Sequence, residues 1–93
     1  MERNLAEQQF SRAKEPFHRG EAGEALALLG ALEESFPNDH RILYAQAECL
    51  AALGRRHEAL LICARLPEEL ASPRATDLLR NLRDRLLQAT DDD

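Results

Sequence analysis

The sequence predicts an all-helical fold made of antiparallel helix-hairpin repeats, and three observations lead to that prediction. The good helix formers Ala, Leu, Glu, Arg, Gln, Lys and Met make up 60 of the 93 residues. Residues that favour strands are scarce, since the chain has no Val, two Ile, two Thr and one Tyr. The chain also repeats itself at an interval of 34 residues. A chain of this length forms a single domain, so about five helices are expected within residues 1–93.

The repeat is clearest around two glycines. Residues 20–26 (GEAGEAL) lie over residues 54–60 (GRRHEAL), and four of the seven places are identical. The same offset superimposes further pairs: Phe10 on Tyr44, Ala13 on Ala47, Leu32 on Leu66 and Phe36 on Leu70. Several coincidences in one register indicate a duplicated unit, and each unit has the pattern of two helices.

Repeat one is expected to span about residues 6–39. Its first helix carries apolar residues at helical spacing and ends at Gly20, because glycine adopts the left-handed turn conformation without steric cost. The second helix covers about residues 22–35, and Pro37 prevents it from continuing.

Repeat two is expected to span about residues 40–73. Asn38 and Asp39 are good N-caps for the third helix, which ends at Gly54. The fourth helix covers about residues 56–66. The second repeat therefore has the same layout as the first.

The remaining residues predict a closing helix and a short tail. Ser72 followed by Pro73 is a strong start signal, with Ser as the cap and Pro in the first turn. The fifth helix is expected at about residues 74–89, with leucines on one side and charged residues on the other. Residues 90–93 complete the chain as an acidic tail.

Charge and cysteine content exclude several classes of function. The chain has 12 basic and 17 acidic residues, a net charge of −5, and the two signs alternate in every segment. Nucleic-acid binders concentrate positive charge on one face, so nucleic acid is not an expected partner. No apolar stretch approaches the roughly 20 residues that span a bilayer, so no membrane association is expected. Cys49 and Cys63 do not form a disulfide-scaffold pattern, which favours the cytoplasm, and the Ala/Leu/Arg bias favours a bacterial source.

Residues that could carry out catalysis do not converge in the sequence. His18, His40 and His57 stand at unrelated spacings, and Cys49 and Cys63 lack a CxxC partner. Buried, apolar-like thiols explain the two cysteines better than metal ligation does. We therefore expect no enzyme activity, no metal and no cofactor; a metal-binding or enzymatic helical domain is the less favoured alternative.

The repeat resembles the tetratricopeptide-repeat family. That family has Ala, an aromatic residue and a closing Pro in the second half of each unit. Ala25, Leu29 and Pro37 occupy these places in repeat one, and Ala59 and Cys63 occupy the first two in repeat two. The first helix of repeat one departs from the family pattern. The resemblance implies a right-handed solenoid of two repeats closed by a capping helix.

The resemblance also implies a concave groove lined by the first helix of each repeat. Carried over residue by residue, the groove would present Glu7, Phe10, Lys14, Phe17, His18, Arg41, Tyr44 and Glu48. Three of the four aromatic residues fall in this set, which suits an apolar or amphipathic segment. The alternative is that these aromatic rings simply pack against one another.

A second candidate surface lies on the convex side, where the second helix of each repeat is apolar nearly all round. The residues expected to point outward or to lie at the edge are Leu28, Ala31, Leu61 and Ile62. Exposed apolar patches of this kind usually mark an interface. A second protein chain, for example another copy in a homo-oligomer, is expected to cover them; the alternative is that a terminal segment of this chain does so.

The function expected from these observations is that of a non-catalytic protein–protein interaction module, a scaffold or adaptor. The alternative within the same architecture is a small bacterial secretion-type chaperone that holds an export substrate. A third possibility is that the chain is a piece of a longer repeat array, because the first helix lacks an obvious polar end face.

Overall fold

The computed structural model describes the backbone of residues 2–88 and the side chains of residues 7–88, so the predicted acidic tail at 90–93 lies outside the described residues. The described backbone forms five α-helices and no strand. In chain order they are α1 (Glu2–His18), α2 (Ala22–Ser35), α3 (His40–Ala52), α4 (Arg56–Ala64) and α5 (Pro73–Gln88). The predicted all-helical fold is confirmed.

The turns that close the two hairpins are built in the same way, 34 residues apart. Gly20 and Gly54 have φ angles of 86° and 78°, a region that glycine enters without strain. The amide of Glu21 donates to the Pro16 carbonyl oxygen at 2.7 Å, and the amide of Arg55 donates to the Leu50 carbonyl oxygen at 2.9 Å. These bonds, with those from the glycine amides, form the Schellman motif that ends a helix.

Side-chain caps begin α3 and α5 where the sequence places them. Asp39 accepts a hydrogen bond from the backbone amide of Arg41 at 2.9 Å, and Ser72 accepts one from the amide of Ala75 at 3.1 Å. Asn38 is not a cap, because it occupies the turn before Asp39 with a φ of 62°. Helix α4 stops at Ala64, two residues before the expected end.

The helices pack in sequence, and α3 also contacts both α1 and α5. The first helix of each hairpin and the closing helix therefore lie along one side of the molecule. Two groups of buried residues hold this arrangement together. The first core consists of Ala13, Ala22, Ala25, Leu29, Leu32, Ile42, Ala45 and Cys49. The second core consists of Leu43, Ala47, Leu50, Ala59, Cys63, Leu66, Leu79, Leu82 and Leu86.

Helix α3 is the shared wall between the two cores. Ile42 and Cys49 face the first core, whereas Leu43 and Leu50 face the second. A helix that buries opposite sides cannot form a stable hairpin alone, so each hairpin depends on its neighbour. This dependence is the physical reason that the unit repeats.

Small buried residues allow the helix axes to approach closely. The four alanines predicted to do this are at most 3% exposed: Ala13, Ala25, Ala47 and Ala59. The two cysteines are buried free thiols, as the sequence predicts. Burial raises the pKa of Cys63, and it raises that of Cys49 to about 11, so both thiols stay protonated at neutral pH.

Candidate functional site

An open groove lies on the side of the molecule formed by α1, α3 and α5. Its cavity measures about 280 Å³. The lining residues, which define the groove, are Phe10 and Lys14 from α1, His40, Arg41 and Tyr44 from α3, Leu70 and Ala71 from the loop before α5, and Ala75 and Leu78 from α5. Leu70, Ala71, Ala75 and Leu78 form the apolar floor of the groove, and the basic side chains come from α1 and α3.

Phe10 forms the end of the groove next to the first core. Its ring is partly buried and packs against that core. The ammonium nitrogen of Lys14 lies 5.4 Å from the ring centroid, and the guanidinium carbon of Arg41 lies 5.5 Å from it. Both distances fall within the range of attraction between a cation and an aromatic ring. Phe10 therefore holds two positive charges at the mouth of the groove.

Asp39 orients one of these cations. Its carboxylate accepts hydrogen bonds from the Arg41 backbone amide at 2.9 Å and from the Arg41 side chain at 3.3 and 3.4 Å. Burial raises the pKa of Asp39, but the bonds from Arg41 outweigh that effect and leave the pKa below its ordinary value. The cap of α3 thus also directs the guanidinium group towards Phe10.

Tyr44 lies at the other end of the groove from Phe10 and joins α3 to α5. It packs against the second core, and its hydroxyl donates a hydrogen bond of 3.5 Å to the backbone carbonyl oxygen of Leu78. Burial, with the negative charge of Glu48, raises the pKa of Tyr44 to about 12. The hydroxyl therefore remains protonated at neutral pH and acts as a donor.

Four of the eight residues predicted for a concave groove meet here: Phe10, Lys14, Arg41 and Tyr44. The other four do not line the cavity. Phe17 packs against the first core, and its ring lies 6.0 Å from the exposed His18 ring. Glu7 is exposed on α1. Glu48 lies beside Tyr44, where its charge acts on the hydroxyl.

The α5 side of the groove was not predicted from the sequence. Leu70, Ala71, Ala75 and Leu78 complete the cavity. Leu70 and Ala71 lie near the end of repeat two, whereas Ala75 and Leu78 lie in the closing helix, which the sequence indicates as a cap. The spacing of Ala75 and Leu78, three residues apart, places them on one side of α5. That spacing was visible in the sequence, but it does not indicate which neighbouring helix the side faces.

The predicted convex residues lie apart from the groove. Leu28 and Ala31 are exposed and border a shallower cavity between α1 and α2, of about 290 Å³. Leu61 is 68% exposed. Ile62 is partly buried against the second core. The first three therefore face solvent in the single chain, and Ile62 lies at the edge.

A polar network joins α2, α3 and the residue that follows α4. Gln46 donates from Nε2 to Oε1 of Glu33 at 3.1 Å, and Arg65 contacts Oε2 of Glu33 at 2.6 Å. Both hydrogen bonds lower the pKa of Glu33 from its ordinary value of 4.5, and the bond from Arg65 has the larger effect. The network links α2, α3 and the end of α4, and so connects one repeat to the next.

We predict that this network contributes to stability in a pH-dependent way. Because the pKa of Glu33 is lower in the folded chain, its contribution is present above pH 4.5 and is lost as the pH falls through the folded value. Glu33→Gln should therefore lose less unfolding free energy than the parent between about pH 6 and about pH 3 in urea titrations. Asp39 shifts in the same direction, so some acid sensitivity should remain. An identical decline in both proteins would contradict the prediction.

The described residues contain no group of three or more His, Cys, Asp or Glu side chains that could hold a metal ion. No described helix is both long enough and apolar enough to cross a membrane.

Comparison with known proteins gives one match. A family model described as tetratricopeptide repeat matches residues 17–82, which is more than half of the chain. The match includes the last two residues of α1, all of α2, α3 and α4, and the first ten residues of α5. No curated protein and no solved structure matches the chain.

Proposed function

Because the chain belongs to the tetratricopeptide-repeat family, we propose that it is a non-catalytic module that holds a segment of a partner protein in the groove. Tetratricopeptide repeats generally mediate protein–protein interaction. The observation that carries the proposal is the open apolar cavity between Phe10, Tyr44 and Leu78. Exposed apolar surface in a concave site is where partners bind most readily.

The size of the cavity supports the capture of an anchor side chain. A volume of about 280 Å³ lies just below the range of about 300–1,000 Å³ for pockets that enclose a small molecule. It suits one or two bulky apolar side chains of a segment lying across the groove. Interfaces commonly gain most of their binding energy from such anchors.

The groove is also preformed. Phe10 rests on the first core and Tyr44 on the second, while the Tyr44 hydroxyl is bonded to the backbone of α5. The walls therefore need little ordering when a partner binds, and this reduces the entropic cost of association.

The groove supplies little for catalysis. Its lining contains no Ser, Cys, Asp or Glu, so His40 has no nucleophile and no orienting carboxylate among the lining residues. The Tyr44 hydroxyl, with a pKa of about 12, stays protonated at neutral pH and cannot act as a base. A binding role without turnover fits these groups, as it fits the typically non-catalytic family.

The proposal extends to the setting in which the module works. The two buried, unbridged thiols suit a reducing compartment such as the bacterial cytoplasm. The secretion-type chaperone is a special case of the same proposal, in which the bound segment belongs to an export substrate.

A selected peptide would test the groove. We would select short peptides from a displayed random library on the purified chain, and map the tightest one by amide chemical shifts in NMR. We expect the shifts to cluster around Phe10, Tyr44 and Leu78. Leu78→Glu should weaken binding of the peptide by about tenfold or more, because it places a charge in the apolar floor.

Leu61→Glu is the matched control, because it makes the same change at an exposed leucine outside the groove. It should leave the affinity unchanged. If Leu61→Glu lost affinity for the peptide while Leu78→Glu kept it, the peptide would bind the convex surface, and the proposal would be rejected. Failure to select any peptide that maps to the groove would also reject it.

A further inference from the structure

The charged residues that line the groove are basic, although the whole chain is acidic. The chain has a net charge of −5, yet the groove lining contains Lys14, Arg41 and His40 and no carboxylate. Basic residues from two helices therefore gather at one place in an acidic protein. Such a local reversal favours a ligand of negative charge.

Lys14 is available to an incoming carboxylate. Among the residues that the structure describes, no acidic group lies within salt-bridge distance of it. Its ammonium group lies 5.4 Å from the Phe10 ring centroid, which keeps it at the edge of the apolar floor. A carboxylate next to the apolar floor would meet a partly desolvated cation, where the attraction is stronger than in open water.

Arg41 shares its charge between Asp39 and the groove. Its Nη2 lies 3.3 Å from Asp39, and about half of the side chain is exposed. A guanidinium group has five N–H donors, so it can bind a further carboxylate without releasing Asp39.

Asp39 is paired with Arg41, and the other acidic side chains nearby do not line the groove. Glu48 acts on Tyr44, where Arg85 partly offsets it, and Glu69 and Asp77 line a neighbouring cleft that shares Leu70 and Ala71 with the groove. Among the lining residues, the basic side chains come from α1 and α3. A bound segment would have to turn its acidic side to α1 and α3 and its apolar side to α5.

We propose that the groove binds an acidic amphipathic segment of another protein, with a bulky apolar side chain between Phe10, Tyr44 and Leu78 and its carboxylates beside Lys14 and Arg41. This inference rests on the proposed function and specifies the chemistry of the partner. Neither a basic segment nor an uncharged one would use the cations at the groove mouth.

Three synthetic peptides would test the charge of the partner. Each is about four helical turns long, carries Leu at the same helical spacing, and has Glu, Gln or Lys at all other positions. Isothermal titration should rank their affinities Glu above Gln above Lys. The advantage of Glu over Gln should be about fivefold to tenfold at ~50 mM salt and smaller at ~200 mM salt.

Charge reversal would locate the effect at one residue. Lys14→Glu should remove the preference for the Glu peptide and raise the affinity for the Lys peptide. Arg12→Glu makes the same change in net charge on α1, but Arg12 lines the cavities outside the groove. It should keep the preference, because the distance and the solvent screen its charge from the groove.

The outcomes separate this inference from the proposed function. Equal affinity for the Glu and Gln peptides, with both mapping to the groove, would overturn the acidic partner and keep the groove. Equal effects of Lys14→Glu and Arg12→Glu would also overturn it, because the preference would then reflect overall charge. Binding of no peptide, or a dimer of the chain that Leu78→Glu dissociates, would overturn both ideas.

Discussion

Leu43→Ala is expected to lower the free energy of unfolding by about 2–5 kcal/mol. Leu43 has no exposed surface and lies in the second core, where α3, α4 and α5 meet. The smaller side chain loses its contacts and leaves a cavity that helices packed on several sides cannot close. Urea titration followed by circular dichroism would measure the loss. The expected loss is a large fraction of the about 5–15 kcal/mol that holds a typical domain together.

Leu61→Ala is the matched control for this experiment. It makes the same chemical change at a leucine that is 68% exposed, so its effect should stay within about 0.5 kcal/mol. If both variants lost the same stability, Leu43 would not occupy the shared core, and the account of α3 as the wall between two cores would be wrong.

Ala59→Leu is expected to lower the free energy of unfolding by about 1–3 kcal/mol. Ala59 is fully buried on α4, in the second core. Three extra carbon atoms at that place force α3 and α4 apart or push neighbouring side chains out of their preferred rotamers. The urea concentration at the midpoint of unfolding should fall, while the slope of the unfolding free energy against urea concentration stays the same.

Ala27→Leu provides a control from within the repeat. Residue 27 of α2 is exposed and corresponds to Leu61 of α4 at the 34-residue offset, so a leucine there should be tolerated. Its effect on the free energy of unfolding should stay within about 0.5 kcal/mol. Equal stability of Ala59→Leu and Ala27→Leu would contradict the close approach of the helices.

Helix positions in this chain follow from local chemistry and could be read in the sequence. Gly20 and Gly54 end helices because they reach a positive φ without strain. Asp39 and Ser72 begin helices because their side chains accept bonds from free backbone amides. Each effect acts over a few residues, so the residues concerned are neighbours in the sequence. The end of α4 was predicted two residues too late, because no glycine follows Ala64 to mark it.

Four of the nine residues that line the groove were predicted from the sequence, and the repeat explains two of them, because it places Phe10 and Tyr44 at equivalent positions of α1 and α3. Phe17 lies on the same helix as Phe10 but packs against the first core. Periodicity shows which residues share a side of a helix, and it does not distinguish a ring that lines a cavity from one that fills a core. That distinction depends on the distance to the next helix.

The amino-acid order alone was sufficient for the helical class, the 34-residue unit, the two glycine turns and the burial of the small residues, since these depend on backbone preferences and on helical spacing. Only the tertiary structure shows that α5 lines the groove. Leu78 meets Tyr44 across 34 residues of sequence, and the cations of α1 and α3 converge on one ring. Contacts of this kind depend on how whole helices pack, and the packing of two helices is a property of neither one alone.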